Sequence, residues 1–311
     1  MSQESIPDLS RERGGGWMKE QAIKAIFFSC AALSILTTVG IVLALAGDAL
    51  TFFTRVSPVA FFTNTEWHPT IQPYSFGVLP LIAGTLIITI GSAVIALPLG
   101  VLTAIYLSEY ASDRMRSVLK PALEILAGIP TVVYGYFALV YITPALSTVF
   151  PTIETFNALS ASIIVGIMII PMVSSISEDA MNSVPDSLRQ AGYGLGATKF
   201  EVSTGVVVPS AISGILSSFI LALSRAIGET MAVTIAAGRD AELVNPFNPE
   251  AYLGSVETMT AAMVELGSSD VTGASTAYKS LFAIGLTLFV ITLGMNMLSE
   301  WISSRYREVY E

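Results

Sequence analysis

The chain has 311 residues, 53% of them hydrophobic and only 13% charged, with a formal net charge of -9. Ordinary soluble domains carry about 25% charged residues, so this composition excludes a globular enzyme or soluble binding module and fits a polytopic membrane protein. Its acidic balance and scattered cations exclude a nucleic-acid partner.

Uncharged runs long enough to cross about 30 Å of hydrocarbon as helices fall near residues 25–47, 76–107, 122–148, 157–177, 206–237 and 280–299. They predict an all-α fold of six transmembrane helices forming one domain over 25–311, after a polar tail over 1–24 that contains Gly14, Gly15 and Gly16. The first span ends in Ala44, Leu45 and Ala46, a small-x-small pattern like that of a signal-peptide cleavage site. Its apolar run exceeds the roughly 7 to 15 residues of a signal core, so a retained helix is expected. In the second span, Gly77, Pro80, Gly91, Pro98 and Gly100 point either to a bend or to ordinary membrane-helix packing. The third contains GIPTVVYGYF (128–137). There Pro130 can free backbone groups while Thr131 and Tyr134 supply hydroxyls at membrane depth, lining a passage or merely marking a packing kink. Met168, Met172 and Met181, in and after the fourth span, read as core filler rather than metal ligands.

Between the fourth and fifth spans lies SVPDSLRQAGYGLGATKFEVSTGVVVP (183–209). Ser183, Pro185 and Asp186 read as a helix start, and Leu188, Ala191 and Leu195 share one face at helical spacing. Gly192, Gly194 and Gly196 then permit a tight turn, after which Thr198 and Glu201 repeat the capping signal before the fifth span. Helix, glycine turn, helix makes an elbow that protrudes from the membrane. The fifth span itself carries Arg225 and Glu229 in an otherwise uncharged run. The loop beyond it, over 238–279, concentrates Asp240, Glu242, Glu250, Glu257, Glu265 and Asp270 and includes a helical-looking piece over 255–266, a partner contact or a surface lid.

Eleven of the fifteen basic residues (Arg11, Arg13, Lys19, Lys24, Arg114, Arg116, Lys120, Arg189, Lys199, Arg305, Arg307) fall on one side of the predicted spans, against Arg55, Arg239 and Lys279 on the other. By the excess of positive charge on inner loops, both termini and the elbow are expected in the cytoplasm. Cys30 and His68 stand alone, so neither a disulfide nor a metal site is expected within the chain, and no G-x-x-x-x-G-K-[ST] loop offers a nucleotide site. No catalytic residue is expected either.

Gln190, Ala191, Gly192 and Gly196, followed after nine residues by Val206, Val208 and Pro209, resemble the E-A-A-x-x-x-G-x9-I-x-L-P signature of ABC importer permeases, with Gln190, Gly192 and the valines as departures. The stretches FGVLPLIAGTLIITI (76–90), LPLGVLTAIYLSEYAS (97–112), LAGIPTVVYGYFAL (126–139) and SRAIGETMAVTIAAG (224–238) resemble the permeases of the phosphate importer across nearly the whole chain outside the tail. The long first external loop and VVYGYFAL favour one of that system's two sister permeases, the other being the alternative, as is a permease for a different oxyanion. The resemblance implies the type I ABC importer permease fold and a multi-pass place in a bacterial or archaeal cytoplasmic membrane. It also implies a heterodimer with the sister permease, two ATP-binding subunits that carry the ATP and Mg, surrounding lipid, and an extracytoplasmic phosphate-binding protein. It places Arg189, Gln190, Ala191, Gly192, Gly196, Ala197, Thr198 and Pro209 at the ATPase-coupling surface.

A charge at a helix centre costs roughly 2.5–3.5 kcal/mol to insert. Arg225 and Glu229, four residues apart, would share one helical face, but Arg before Glu is the weaker order for an i, i+4 pair. An arginine fork can bind a tetrahedral oxyanion through two hydrogen bonds. A glutamate can accept a hydrogen bond from a protonated oxyanion such as phosphate near neutral pH and repel sulfate, which has no proton to give. The expected substrate pathway is therefore Arg225 and Glu229, with Ser224, Thr230, Thr131 and Tyr134 as hydroxyl donors. The alternative is a buried ion pair tying helices together. A secondary anion carrier would more often show two matched halves, and no second copy of the 183–209 segment is present. A membrane scaffold would need neither charge.

Overall fold

The structure, a computed structural model, describes residues 16–306; Arg11, Arg13, Gly14, Gly15 and Arg307 lie outside the described residues. α1 (Gly16–Phe53) and α2 (Pro58–Thr63) precede a short antiparallel ribbon of β1 (Trp67–His68) and β2 (Ser75–Phe76). α3 (Leu79–Ile105) ends in a π-helical turn (Tyr106–Tyr110), followed by α4 (Asp113–Gly128), α5 (Thr131–Phe137), a second π-helical turn (Ala138–Ile142) and α6 (Thr143–Ser147). α7 (Ala158–Asn182) leads through α8 (Asp186–Gly194) and α9 (Lys199–Val202) to a third π-helical turn (Ser203–Val207), then α10 (Val208–Ser210), α11 (Ile212–Ile227) and α12 (Met231–Ala236). The chain continues with α13 (Met259–Ser268) and α14 (Thr276–Tyr306). Its contacts divide it into two compact units, residues 1–47 and 48–311. The described part of the first is a single apolar helix, most of α1.

Four helices are long and apolar enough to cross a membrane singly: Lys19–Phe53, Leu79–Tyr110, Ala158–Asn182 and Thr276–Ile302. Two bent pairs supply the other spans, Asp113–Gly128 with Thr131–Ser147 at 90° and Lys199–Ser210 with Ile212–Ile227 at 69°. Counting each pair as one span gives the expected six.

The bends have local causes. Pro130 and Ile129 hold extended backbone between α4 and α5, because a proline fixes its own φ and steers the residue before it away from the helical region. The third span thus begins at Asp113, nine residues before its expected start, on an amphipathic helix capped by the Ser112 hydroxyl, which accepts from Met115 N. Pro98, by contrast, lies inside α3 without ending it.

Lipid is as apolar as leucine, so membrane helices associate by close packing and buried hydrogen bonds rather than by leaving water. α3 and α7 meet in this way: a Cβ added to Gly100 would lie 2.6 Å from Val173 Cβ, a distance only glycine permits. Ile87, Ala96, Ile164, Ile169 and Val173 form the buried centre of that contact. The Ser177 and Ser218 hydroxyls, 2.9 Å apart, join α7 to α11. Met168 and Met181 are buried and Met172 packs against the core, as filler should. At one end of the second unit, Phe52, Phe61, Trp67, Leu81, Met259 and Ile284 build a separate core. At the elbow end, Ala104, Met181, Val184, Val202, Val207 and Ile215 build a third.

Candidate functional site

The fifth span does not continue as one helix. α11 stops at Ile227, Gly228 takes φ -87 and ψ 0, and α12 restarts at Met231. The break is held together locally: Glu229 N donates to Ala226 O (3.2 Å), and the Thr230 hydroxyl donates to Gly228 O (3.2 Å). It is also braced from a distance, because the Thr260 hydroxyl donates to Glu229 O (2.7 Å). Arg225 therefore lies in α11 while Glu229 lies in the break before α12, and the expected common helical face does not exist.

Arg225 lies in the last turn of α11, where a cation complements the helix dipole by about 0.3–1 kcal/mol. Glu229, 7% exposed, accepts from Ala232 N (3.2 Å) and so caps the start of α12. The two charges form no ion pair within 4.0 Å, and Arg225 has no hydrogen-bond or ion-pair partner among the described residues. Its guanidinium borders two cavities. One, of about 470 Å³, is lined by Lys120, Glu124, Met168, Met172, Ser175 and Glu178 among others. The second, of about 380 Å³, is lined by Ser224, Gly228, Glu229, Met172, Leu221 and Asn296. Ser224 thus joins Arg225 and Glu229 at one cavity, while the Thr230 hydroxyl is spent closing the break.

The 128–137 segment also meets this region. α12 crosses α5 so closely that a Cβ on Gly135 would lie 3.0 Å from Ala232 Cα. Neither Thr131 nor Tyr134 lines either cavity beside Arg225. Tyr134 is buried and its hydroxyl donates to Leu126 O (2.6 Å) across the bend, so it holds the kink rather than facing a passage.

The elbow forms as a short helix, a turn and a second helix, with differences at its start. Ser183 closes α7, and Pro185 and Asp186 open α8. Gly196, at φ 83, makes the turn in a region that other residues enter only at a cost of about 1–2 kcal/mol. Thr198 and Glu201 form the expected capping box, with Glu201 N donating to the Thr198 hydroxyl and Thr198 N to the Glu201 carboxylate. Gly192 presses on Val202, whose Cγ2 would lie 2.9 Å from an added Cβ. The shared apolar face divides: Leu188 packs into the core, whereas Ala191 is exposed and Leu195 is 90% exposed. Gln190, Gly196, Thr198, Phe200 and Pro209 are exposed with them, and Ala197 is half-buried. Arg189 departs from that surface. It turns inward, with Nη1 donating to Val184 O, Nη2 donating to Met181 O (2.8 Å), and Nε and Nη2 donating to Glu109 Oε1 (3.2 and 3.0 Å).

Several charged residues with partners were outside the sequence expectation. Glu178, 2% exposed, is held by Lys120 at 2.9 Å and Arg116 at 3.9 Å. Glu109 sits in LSEY at the end of α3; an ionisable residue at a span end facing an elbow arginine is the signal that could have found it. Away from the elbow, a third cavity of about 540 Å³ is lined by Trp67, His68, Arg239, Asp240, Glu257 and Glu265 among others. Glu257 is 5% exposed, and burial first, then the neighbouring Glu265 charge, push its carboxyl up to about 8 against the pull of Arg239.

Sequence comparison identifies a family, and fold comparison an architecture. The family described as "Binding-protein-dependent transport system inner membrane component" matches residues 96–308. The chain is 35% identical to the "Probable ABC transporter permease protein YqgH" of Bacillus subtilis, over 91% of this chain and 90% of that protein. It is 32% identical to the "Phosphate transport system permease protein PstC" of Mesorhizobium japonicum, over 97% of each. Its fold is similar to a chain in the crystal structure of a bacterial alginate ABC transporter in complex with an alginate pentasaccharide-bound periplasmic protein, with a TM-score of 0.63, 15% identity, and coverage of 95% of this chain and 99% of that one. The fold is that of a type I ABC importer permease. The chain is a multi-pass membrane protein and belongs to the family of binding-protein-dependent transport system inner membrane components.

Proposed function

We propose that this chain is the membrane permease subunit of an ATP-driven importer that carries inorganic phosphate into the cytoplasm. The observation that carries the reading is Arg225: a guanidinium without a protein partner, placed inside a membrane span and bordering two cavities, one of them shared with buried Glu229 and Ser224. Leaving such a charge unpaired costs a few kcal/mol unless something else meets it, and a passing oxyanion does so through paired hydrogen bonds. Relatives named as phosphate permeases, covering 97% and 79% of the chain, support phosphate as that anion.

Glu229 has a complementary role. Its carboxylate is fixed by Ala232 N and lies beside the cavity, where it can accept a hydrogen bond from hydrogen phosphate. Sulfate offers no proton and meets repulsion. Glu229 thereby tempers Arg225 when the route is empty and filters what occupies it.

Family membership supports extending the reading to the rest of the assembly. Residues 25–311 act as one permease domain, with both termini and the elbow on the cytoplasmic side of a bacterial or archaeal membrane. The exposed strip of Gln190, Ala191, Leu195, Gly196 and Thr198 docks on an ATP-binding subunit that carries ATP and Mg. A sister permease, a second ATP-binding subunit and an extracytoplasmic phosphate-binding protein complete the complex. The test is uptake by the purified complex in proteoliposomes. ATP-dependent phosphate entry that needs the binding protein is expected, whereas entry driven by an ion gradient without ATP would refute the reading, as would phosphate transport by this chain alone.

A further inference from the structure

The elbow is joined to the membrane domain by more than the covalent chain. Arg189, at the centre of α8, is 14% exposed along its side chain, and Glu109 is 5% exposed. They are 80 residues apart in sequence, yet two guanidinium nitrogens donate to one Glu109 oxygen. The same guanidinium reaches back to the carbonyls of Met181 and Val184 at the end of α7. One side chain therefore holds three elements: the elbow helix, the end of the fourth span and the π-helical end of the second.

That bonding pattern fits transmission. A π-helical turn bonds each N–H to the carbonyl five residues back and is frequent at functional sites. Glu109 lies within such a turn. The polar chain also ties the turn to the end of α7, since the Ser108 hydroxyl is within reach of Glu109 Oε1 (3.2 Å) and Asn182 Oδ1 (2.9 Å). Beyond the turn, α3 is locked to α7 at Gly100 and Val173, and α7 supplies Met168 and Met172 to the wall of the cavity beside Arg225. A displacement of α8 that pulls Glu109 has a rigid path to the anion cavity, separate from the covalent path through α9 to α11.

We infer that Arg189 and Glu109 are a positioning pair that hands elbow movement to the second span, making the second and fourth spans, and not the fifth alone, the driven elements of transport. This deepens the importer reading and rests on it. Glu109 lies inside the protein, off the exposed strip that would meet an ATPase, so a change there acts on coupling without touching the docking surface.

The experiment uses the complete reconstituted complex and reads three quantities: amount assembled, ATP hydrolysis with the loaded binding protein, and phosphate imported per ATP hydrolysed. Glu109→Gln keeps the size and an acceptor but removes the charge. We expect assembly and hydrolysis to stay within about twofold of the unmutated complex while phosphate per ATP falls about fivefold or more. Glu109→Asp should recover much of the ratio, and Arg189→Lys added to Glu109→Gln should lower it no further, because both act through one joint. An unchanged ratio in Glu109→Gln, or uptake and hydrolysis falling together with the assembled amount, would overturn the inference. If the unmutated complex fails to couple phosphate entry to ATP, the importer reading fails instead, an outcome visible before any variant is compared.

Discussion

Two arginine–glutamate sets in one membrane protein are treated in opposite ways. Arg225 and Glu229 are four residues apart and form no ion pair; Arg189 and Glu109 are 80 residues apart and closed by two hydrogen bonds. A buried charge whose donors are spent on protein acceptors has a mechanical use, because moving it drags its partners. A charge left open beside a cavity is, on the proposed reading, free to meet a ligand. Proximity in sequence misleads in both cases: the helix break at Gly228 separates the near pair, and the fold brings the far pair together.

The largest effect expected is at the open set. A charged hydrogen bond contributes about 1.5–3 kcal/mol, so Arg225→Gln should lower phosphate uptake about ten- to hundredfold. The assembled amount should hold, since the span loses a charge that is costly to insert. Purification and quantitation of the complex beside the uptake assay check both statements.

Next comes the elbow turn. Gly196→Leu places a side chain at φ 83, at a cost of about 1–2 kcal/mol, and should cut uptake about five- to thirtyfold. Hydrolysis stimulated by the loaded binding protein should fall with it or the complex should come apart. Normal values of both would show that the bend is not a coupling element.

Glu229→Gln should be milder. The amide oxygen can still cap Ala232 N, so uptake should fall by less than about fivefold, while competition by sulfate should rise. Undiminished discrimination would remove the filtering role.

A last effect, on stability rather than on uptake, concerns Glu257. Its folded pKa is raised from 4.5 to about 8, so the folded chain holds this proton more tightly than the unfolded chain does. Stability from this group is lost as the unfolded carboxyl ionises above about pH 4.5, and the loss levels off near pH 8. Glu257→Gln, which cannot ionise, should therefore gain thermal stability relative to the unmutated protein as pH rises from about 5 to about 8. Melting curves across that range read the slope, and parallel curves would contradict the raised carboxyl.

Hydropathy made six spans legible, because uncharged length is a property of single segments. The elbow was legible for the same reason: Gly196 and the Thr198–Glu201 capping box are local rules satisfied within a few residues. What escaped the sequence was set from a distance. The restart at Met231 depends on Glu229 capping Ala232 and on Thr260, 31 residues on, bonding Glu229 O, while hydropathy sees only an unbroken apolar run. The sequence leaves Tyr134 at either a passage or a packing kink, and only the fold brings its hydroxyl to Leu126 O across the Pro130 bend. Arg189 was assigned outward with the elbow surface, and only the fold reveals Glu109 behind it.

The most direct test of an open anion site is phosphate uptake, normalised to assembled complex, in Arg225→Gln, Glu229→Gln and the variant carrying both. If Arg225 meets the anion, the double variant stays as low as Arg225→Gln alone, because removing Glu229 restores no donor. If the two residues were a structural pair, each single variant would leave one charge unanswered and misassemble, and the double variant would recover assembly and uptake. We expect low uptake in a fully assembled double variant; near-normal uptake would contradict the site.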